Sequence, residues 1–228
     1  MGGQACVLYG AAEFSRDTDF AFLANTTNLE RLRRALTELR AIEIAVPPFE
    51  LKYLKRGHAI HFRCWHPEAL RLRVDVMSKM RGVDDFAKLW RRRSSIHLPG
   101  GTACEAMSLP DLVQAKKTQR DKDWPMIRRL MESHYYEHRE KATSSRVKFW
   151  LRELRTPELL MEVARGHPKE AASVQRNRRL LSFARHRQFG EVVQALAQEE
   201  QLEREKDRKY WEPLKAELEA LRRKRLKE

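Results

Sequence analysis

Residues 1–22 read MGGQACVLYGAAEFSRDTDFAF, and the reading of this stretch decides the fold. Asp17 and Asp19 stand at i and i+2 at the start of an apolar strand, Thr18–Leu23, in which Phe20 and Phe22 share a buried face. Side chains alternate across a strand, so the two carboxylates project the same way and can grip one pair of divalent cations. Upstream, Gly2-Gly3 forms a turn without Cβ atoms, where backbone N–H groups can come close to a phosphate. The two features together read as a site for a metal-bound nucleoside triphosphate. Taken alone, Ser-Arg-Asp-Thr-Asp also reads as a solvated turn before a strand.

The 228 residues suffice for one or two domains with a proper core, and a hydrophobic content of 42% marks a folded chain. The formal net charge of +14 is spread over both halves and is not gathered in a tail. Such a surface attracts polyanions such as RNA, DNA or triphosphates, although a soluble basic protein has the same composition. Cys6, Cys64 and Cys104 form no CxxC pair, sit in apolar contexts and read as reduced core thiols. No run approaches the ~18 apolar residues of a membrane helix, and the N-terminus lacks the basic start of a signal peptide. Cys6 stands where a myristoylation signal has Ser or Thr. The expected location is cytoplasmic.

Working outward, Gln4–Tyr9 reads as a short helix and Asn28–Arg40 as an amphipathic one, with Leu29, Leu32, Leu36 and Leu39 at helical spacing. A hairpin follows. His58–Trp65 alternates, with Ile60, Phe62 and Cys64 on one side and His61 and Arg63 on the other. After His66-Pro67-Glu68, Leu70, Leu72, Val74 and Val76 face one way and Arg71, Arg73 and Asp75 the other, which sets an acid beside two guanidinium groups. Ser108 with Asp111 has capping-box spacing and starts a helix that reaches Lys116 and Lys117.

From Trp124 onward every segment reads helical: 125–139, 144–154, 157–165 capped by Thr156, 170–185, 191–202, and a last stripe of Trp211, Leu214, Leu218 and Leu221. The expected fold is therefore α+β, a small mixed β-sheet flanked by helices over residues 1–141, followed by an all-helical C-terminal region over 142–228.

Nucleotidyl transfer needs charge neutralisation and in-line positioning more than covalent chemistry from the protein. Two metal ions bridged by carboxylates stabilise both the attacking and the leaving oxygen. The minimal kit is two carboxylates close in sequence, a third on a neighbouring strand and a phosphate-binding turn. This chain offers Asp17, Asp19, Asp75 and Gly2-Gly3.

These residues resemble the polymerase-beta-like nucleotidyltransferase superfamily. Its signature is an apolar residue, Gly-Gly or Gly-Ser, nine to thirteen residues, then Asp-x-Asp or Asp-x-Glu. Thirteen residues separate Gly3 from Asp17, and Gly10, Ser15 and Arg16 are similar to the small stand-alone, abortive-infection-type branch. Ser108-Leu109-Pro110-Asp111-Leu112, followed by Lys116, Arg120, Lys122 and Asp123, extends the likeness to about residue 135.

The resemblance implies an enzyme that moves NMP from an NTP to an acceptor and releases pyrophosphate. By it, Asp17, Asp19 and Asp75 hold Mg²⁺ or Mn²⁺, and Asp75 assists deprotonation of the acceptor hydroxyl. Gly2, Gly3 and Ser15 then lie at the triphosphate, with Lys116 near it. The acceptor is RNA, a protein or a small molecule. A second function stays open: a catalytically silent module of the same fold that binds nucleic acid or a protein partner, as one component of a toxin–antitoxin pair.

Other clusters carry weaker signals. His134-Tyr135-Tyr136-Glu137-His138 matches a zinc-peptidase pattern, but a helix with amphipathic aromatics explains it more simply. Trp90-Arg91-Arg92-Arg93 and Arg176–Arg179 fit contact with a nucleic-acid backbone, and equally a solvated helix face. The cations of 222–227 suit a helix C-terminus.

Overall fold

The first compact unit takes in Met1–Leu8, Ala12–Ala115 and the chain from Arg208 onward; the second takes in Tyr9–Ala11 and Lys116–Asp207. This division differs from 1–141 and 142–228. The structure, a computed structural model, describes residues 1–98 and 100–227. Among them are eleven α-helices, a four-stranded mixed sheet, a two-stranded sheet and a helical C-terminal region, so the class is α+β. No helix among the described residues is long and apolar enough to cross a membrane.

In chain order the first unit runs α1 (Gly2–Leu8), β1 (Asp17–Ala21), α2 (Thr26–Glu38), β2 (Ile42–Glu43), α3 (Leu51–Arg56), β3 (Ile60–Arg63) and β4 (Arg73–Met77). It continues with α4 (Phe86–Arg92), β5 (Ser94–His97), β6 (Ala103–Ala106) and most of α5 (Leu109–Lys116). The larger sheet has the order β1-β4-β3-β2, with β1 parallel to β4 and the other pairs antiparallel.

Period-2 alternation builds its core: Ile60, Phe62, Cys64, Val74 and Val76 are buried on one face against Leu36, Phe49, Tyr53 and Leu54. Phe62 meets Phe49 edge to face, ring centroids 5.2 Å apart. The helix ends follow their caps. Asn25 accepts from the Asn28 N–H at 2.8 Å, and the Ser108 hydroxyl accepts from the Asp111 N–H while donating to its carboxylate at 2.6 Å.

Two expectations about this sheet fail. β1 lies at the sheet edge, and Phe20 is 50% exposed, so the segment is not a fully buried strand. Among the described residues β1 has a neighbouring strand on one side only, which leaves Phe20 half exposed. Leu70 is exposed because the strand begins three residues later, after Arg71 takes a left-handed turn at φ 62°.

The second unit holds α6 (Asp123–His138), α7 (Ser144–Glu153), α8 (Pro157–Gly166), α9 (Pro168–Gln175), α10 (Leu181–Arg185) and the first part of α11 (Phe189–Arg225). It buries Trp124, Ile127, Leu130, Met131, Trp150, Leu151, Leu154, Leu160 and Leu181. The expected helix over 170–185 is two helices, α9 and α10. The Thr156 hydroxyl donates to Glu132 and makes no cap bond to α8.

The segments 191–202 and 211–221 form one helix of 37 residues, which tolerates Pro213 in its interior. The end of α11 belongs to the first unit. There Leu221 packs on the sheet core, and Glu217 pairs with Arg56 and with the buried His58, Nε2 to Oε2 at 2.8 Å. This return of the last helix to the sheet is what moves the division away from residue 141.

Candidate active site on the polar face of the sheet

The side of the sheet away from the core carries charge. In the parallel β1–β4 pair, Asp17 stands opposite Arg73 and Asp19 opposite Asp75; in the antiparallel β3–β4 pair, His61 stands opposite Asp75 and Arg63 opposite Arg73. Register partners point to the same side, and Val74 and Val76 alternate with these residues into the core. Asp17 and Asp19 on β1 and the sequence-distant Asp75 on β4 therefore share one face of two neighbouring strands.

Asp75 carries a partner network and is largely enclosed, with its side chain 14% exposed. Its Oδ1 lies 2.8 Å from His61 Nδ1 and accepts from Arg73 Nε at 2.9 Å. Burial acts to raise its pKa, but the hydrogen bonds and charges of His61 and Arg73 outweigh it and hold the carboxyl below its ordinary value. Arg73 Nη2 also approaches His61 Nδ1, at 3.2 Å. A nitrogen that donates to Asp75 has no lone pair left for Arg73, so that approach is a close contact between donors. The Arg73 pKa is raised by its bond to Asp75 and further by the charges of Asp75, Asp17 and Asp19. One guanidinium is thus the shared counter-ion of three carboxylates.

Gly2 and Gly3, expected as a turn before a helix at Gln4, are the first residues of α1 and pack directly on this face. Gly2 has φ 65°, and a Cβ there would lie 1.9 Å from Asp19 Oδ2. The Gly3 N–H donates to the same oxygen at 3.3 Å, and a Cβ on Gly3 would lie 2.3 Å from Ser15 Oγ. Only glycine lets the backbone approach Asp19 this closely. Ser15 holds the turn: its hydroxyl donates to the Asp17 carbonyl at 2.9 Å, and its own carbonyl accepts from Gln4 Nε2 at 3.2 Å.

Lys116 lies in the second unit, with Asp123 as its partner. Its Nζ is 3.0 Å from Asp123 Oδ1, while Thr118 Oγ1 at 2.6 Å and Arg120 Nε at 2.7 Å engage Oδ2. Burial acts to raise the Asp123 pKa, but Lys116, Thr118 and Arg120 hold it below the ordinary carboxylate value.

Of the residues singled out in the sequence, the structure brings together Asp17, Asp19, Asp75, Gly2, Gly3 and Ser15; it commits Lys116 to a buried ion pair. The residue that sequence reasoning missed is His61. Its only signal was a polar position in an alternating strand, and strand register gave that position its partner.

The donor chemistry of the face suits a hard cation, since Mg²⁺ and Mn²⁺ favour carboxylate oxygens; the place beside Gly2 and Gly3 is taken by the Asp19 carboxylate and Ser15 Oγ. As the side chains stand, no group of three or more His, Cys, Asp or Glu among the described residues is close enough together to hold a metal ion. Asp75 is turned instead to Arg73 and His61.

The other clusters have structural partners. Trp150 Nε1 donates to His134 Nδ1 at 2.8 Å, and burial with the charges of His138 and Arg146 pushes His134 down to about 4. Arg92 bridges Asp84 and Asp111, and Arg93 lies over the Trp90 ring. Arg178 is buried and donates to the Leu151 and Leu154 carbonyls and to Glu199. No family model, no curated protein and no solved structure matches the chain.

Proposed function

We propose that the chain is a metal-dependent nucleotidyltransferase that moves NMP from an NTP to an acceptor hydroxyl, with release of pyrophosphate. The observation that carries this reading is the parallel register that pairs Asp19 with Asp75 while Asp17 lies one strand period away on the same face. The glycines at the start of α1, packed against Asp19, support it.

In this reading Asp17, Asp19 and Asp75 hold Mg²⁺ or Mn²⁺. The bound cations neutralise phosphate charge and lower the barrier to displacement at phosphorus. Gly2 and Gly3 present backbone to the triphosphate, with Ser15 holding their turn. Arg73, bonded to Asp75 and standing opposite Asp17, would supply a guanidinium on the same face that can meet phosphate. Asp75 takes the proton of the acceptor hydroxyl, the hydroxyl oxygen bonds to the α-phosphorus, and the bond to pyrophosphate breaks as pyrophosphate leaves with its electron pair. The net charge of +14 favours RNA as acceptor over a small molecule, with a protein hydroxyl as the other candidate.

Purified protein with Mg²⁺ or Mn²⁺ and α-labelled NTPs is expected to label itself or added RNA. Asp17→Ala and Asp75→Asn should each abolish transfer while the far-UV circular dichroism stays native. Absence of Asp17-dependent transfer with every NTP and acceptor class would refute the reading.

The Arg73–Asp75–His61 network favours a second reading, a silent module of this fold in which a guanidinium permanently replaces the metal. It predicts nucleic-acid binding that weakens steeply with salt and persists in the Asp17→Ala, Asp19→Ala double variant.

A further inference from the structure

The second unit contains a groove of about 380 Å³ that the nucleotidyl-transfer reading does not use. That volume lies within the range of small-molecule sites. Apolar walls come from Trp124, Pro125, Pro157, Val193, Leu196 and Ala197, and three arginines, Arg128, Arg155 and Arg204, line the same groove. The Arg155 and Arg204 guanidinium carbons lie 5.4 and 5.8 Å from the Trp124 ring centroid, so two cations crowd one indole.

The arginines are unequally satisfied. Arg204 is spent on Glu200 and Asp121. Arg155, only 9% exposed, has an Nη1 bond to Glu199 at 2.8 Å, yet its buried Nε–H finds no acceptor among the described residues. Burial together with the charge of Arg178 lowers its pKa against the opposing charges of Glu199, Glu153 and Glu203. Arg128 is exposed at the mouth and makes no ion pair among the described residues. Of the two acids lining the groove, Asp121 has its side chain 98% exposed, where water screens it.

A flat apolar body with one compact anion fits such a lining, because guanidinium forks match phosphate and aliphatic and proline walls match a base. We infer that this groove binds the phosphate and base of a nucleoside monophosphate unit, either free or as the end of an RNA strand. Arg128 captures the phosphate at the mouth, and the base lies between Pro125, Pro157 and Leu196.

The test is titration of the full-length chain with AMP, inorganic phosphate and hexaadenylate by calorimetry, in EDTA, and in the Asp17→Ala, Asp19→Ala background. Both precautions remove any contribution from the acidic face, so this site and the active-site reading fail separately. AMP is expected to bind more tightly than inorganic phosphate. Hexaadenylate binding more tightly than AMP identifies a strand end as the natural ligand, and equal affinity identifies the free nucleotide.

Arg128→Glu, at an exposed position, should weaken AMP about tenfold or more. Val193→Trp, at a position 41% exposed, should do the same by filling the groove without changing charge. No AMP binding at millimolar concentration, or binding unchanged in both variants, would overturn the inference, as would tighter binding of inorganic phosphate than of AMP.

Discussion

Replacing Asp123 by Asn removes one charge from a buried carboxylate that three side chains engage. Its side chain is 2% exposed, and three donors converge on it: Lys116 Nζ at 3.0 Å, Thr118 Oγ1 at 2.6 Å and Arg120 Nε at 2.7 Å. Thr118 also accepts Trp124 Nε1 on its carbonyl at 2.9 Å, so the whole 116–123 loop is organised around this carboxylate. Arg120 is 56% exposed, and solvent screening leaves its contribution small. Lys116 is 13% exposed and would be left as a nearly buried ammonium without a counter-ion.

Breaking a buried pair from one side costs about 3–5 kcal/mol, which for a chain of this length lowers the melting temperature by roughly 6–20 °C. The sign with pH follows from the depressed pKa. Asp123 contributes its stability above the unfolded carboxylate pKa of about 3.9 and loses it as pH falls through the lower folded value.

Urea unfolding followed by tryptophan fluorescence, at neutral pH and at steps down through the carboxylate range, reads both effects. The deficit of Asp123→Asn should be full at pH 7 and shrink as the wild type loses its own carboxylate. Lys116→Met combined with Asp123→Leu should recover part of the loss, because an apolar pair leaves no uncompensated charge. A neutral-pH difference within about 0.5 kcal/mol, or a deficit that persists unchanged into acid, would refute the reasoning.

Two other perturbations test the structure elsewhere. Gly3→Ala places a Cβ 2.3 Å from Ser15 Oγ and should cost about 1–3 kcal/mol by overpacking, with loss of the Ser15 bond to the Asp17 carbonyl. Chemical denaturation measures it, and Ser15→Gly in the same chain should relieve most of the penalty; no relief would place the strain elsewhere. Arg178→Met removes a buried guanidinium that ties the Leu151 and Leu154 carbonyls to Glu199 and should destabilise the helical unit by about 3–5 kcal/mol. Amide hydrogen exchange should then speed up in α7 and α8, and unchanged protection there would contradict the clamp.

Much of the local structure was legible without coordinates. Apolar residues at every second position marked Ile60, Phe62, Cys64, Val74 and Val76 as one buried face, because the period of a strand is a local property of the chain. Ser108 with Asp111 announced a helix start by the same local chemistry, whereas Thr156, read as a cap, makes no cap bond. Asp17 and Asp19 could be placed on one face for the reason that successive strand side chains alternate. Period says nothing about what lies beyond a strand edge, and so Phe20 was read as buried although β1 has a neighbour on one side only.

The tertiary structure alone decided which strands meet and in what register. Asp75 reaches the other two aspartates because β4 inserts between β1 and β3, a pairing across more than fifty residues that no local pattern specifies. His61 became a partner of Asp75, Lys116 was claimed by Asp123, and the end of α11 joined the sheet unit through Glu217 and Leu221. Sequence by itself determined many of the elements and the apolar faces of β3 and β4, since propensity and periodicity act within a few residues. Their partners depend on free energy gained between distant segments, which the folded chain alone assembles.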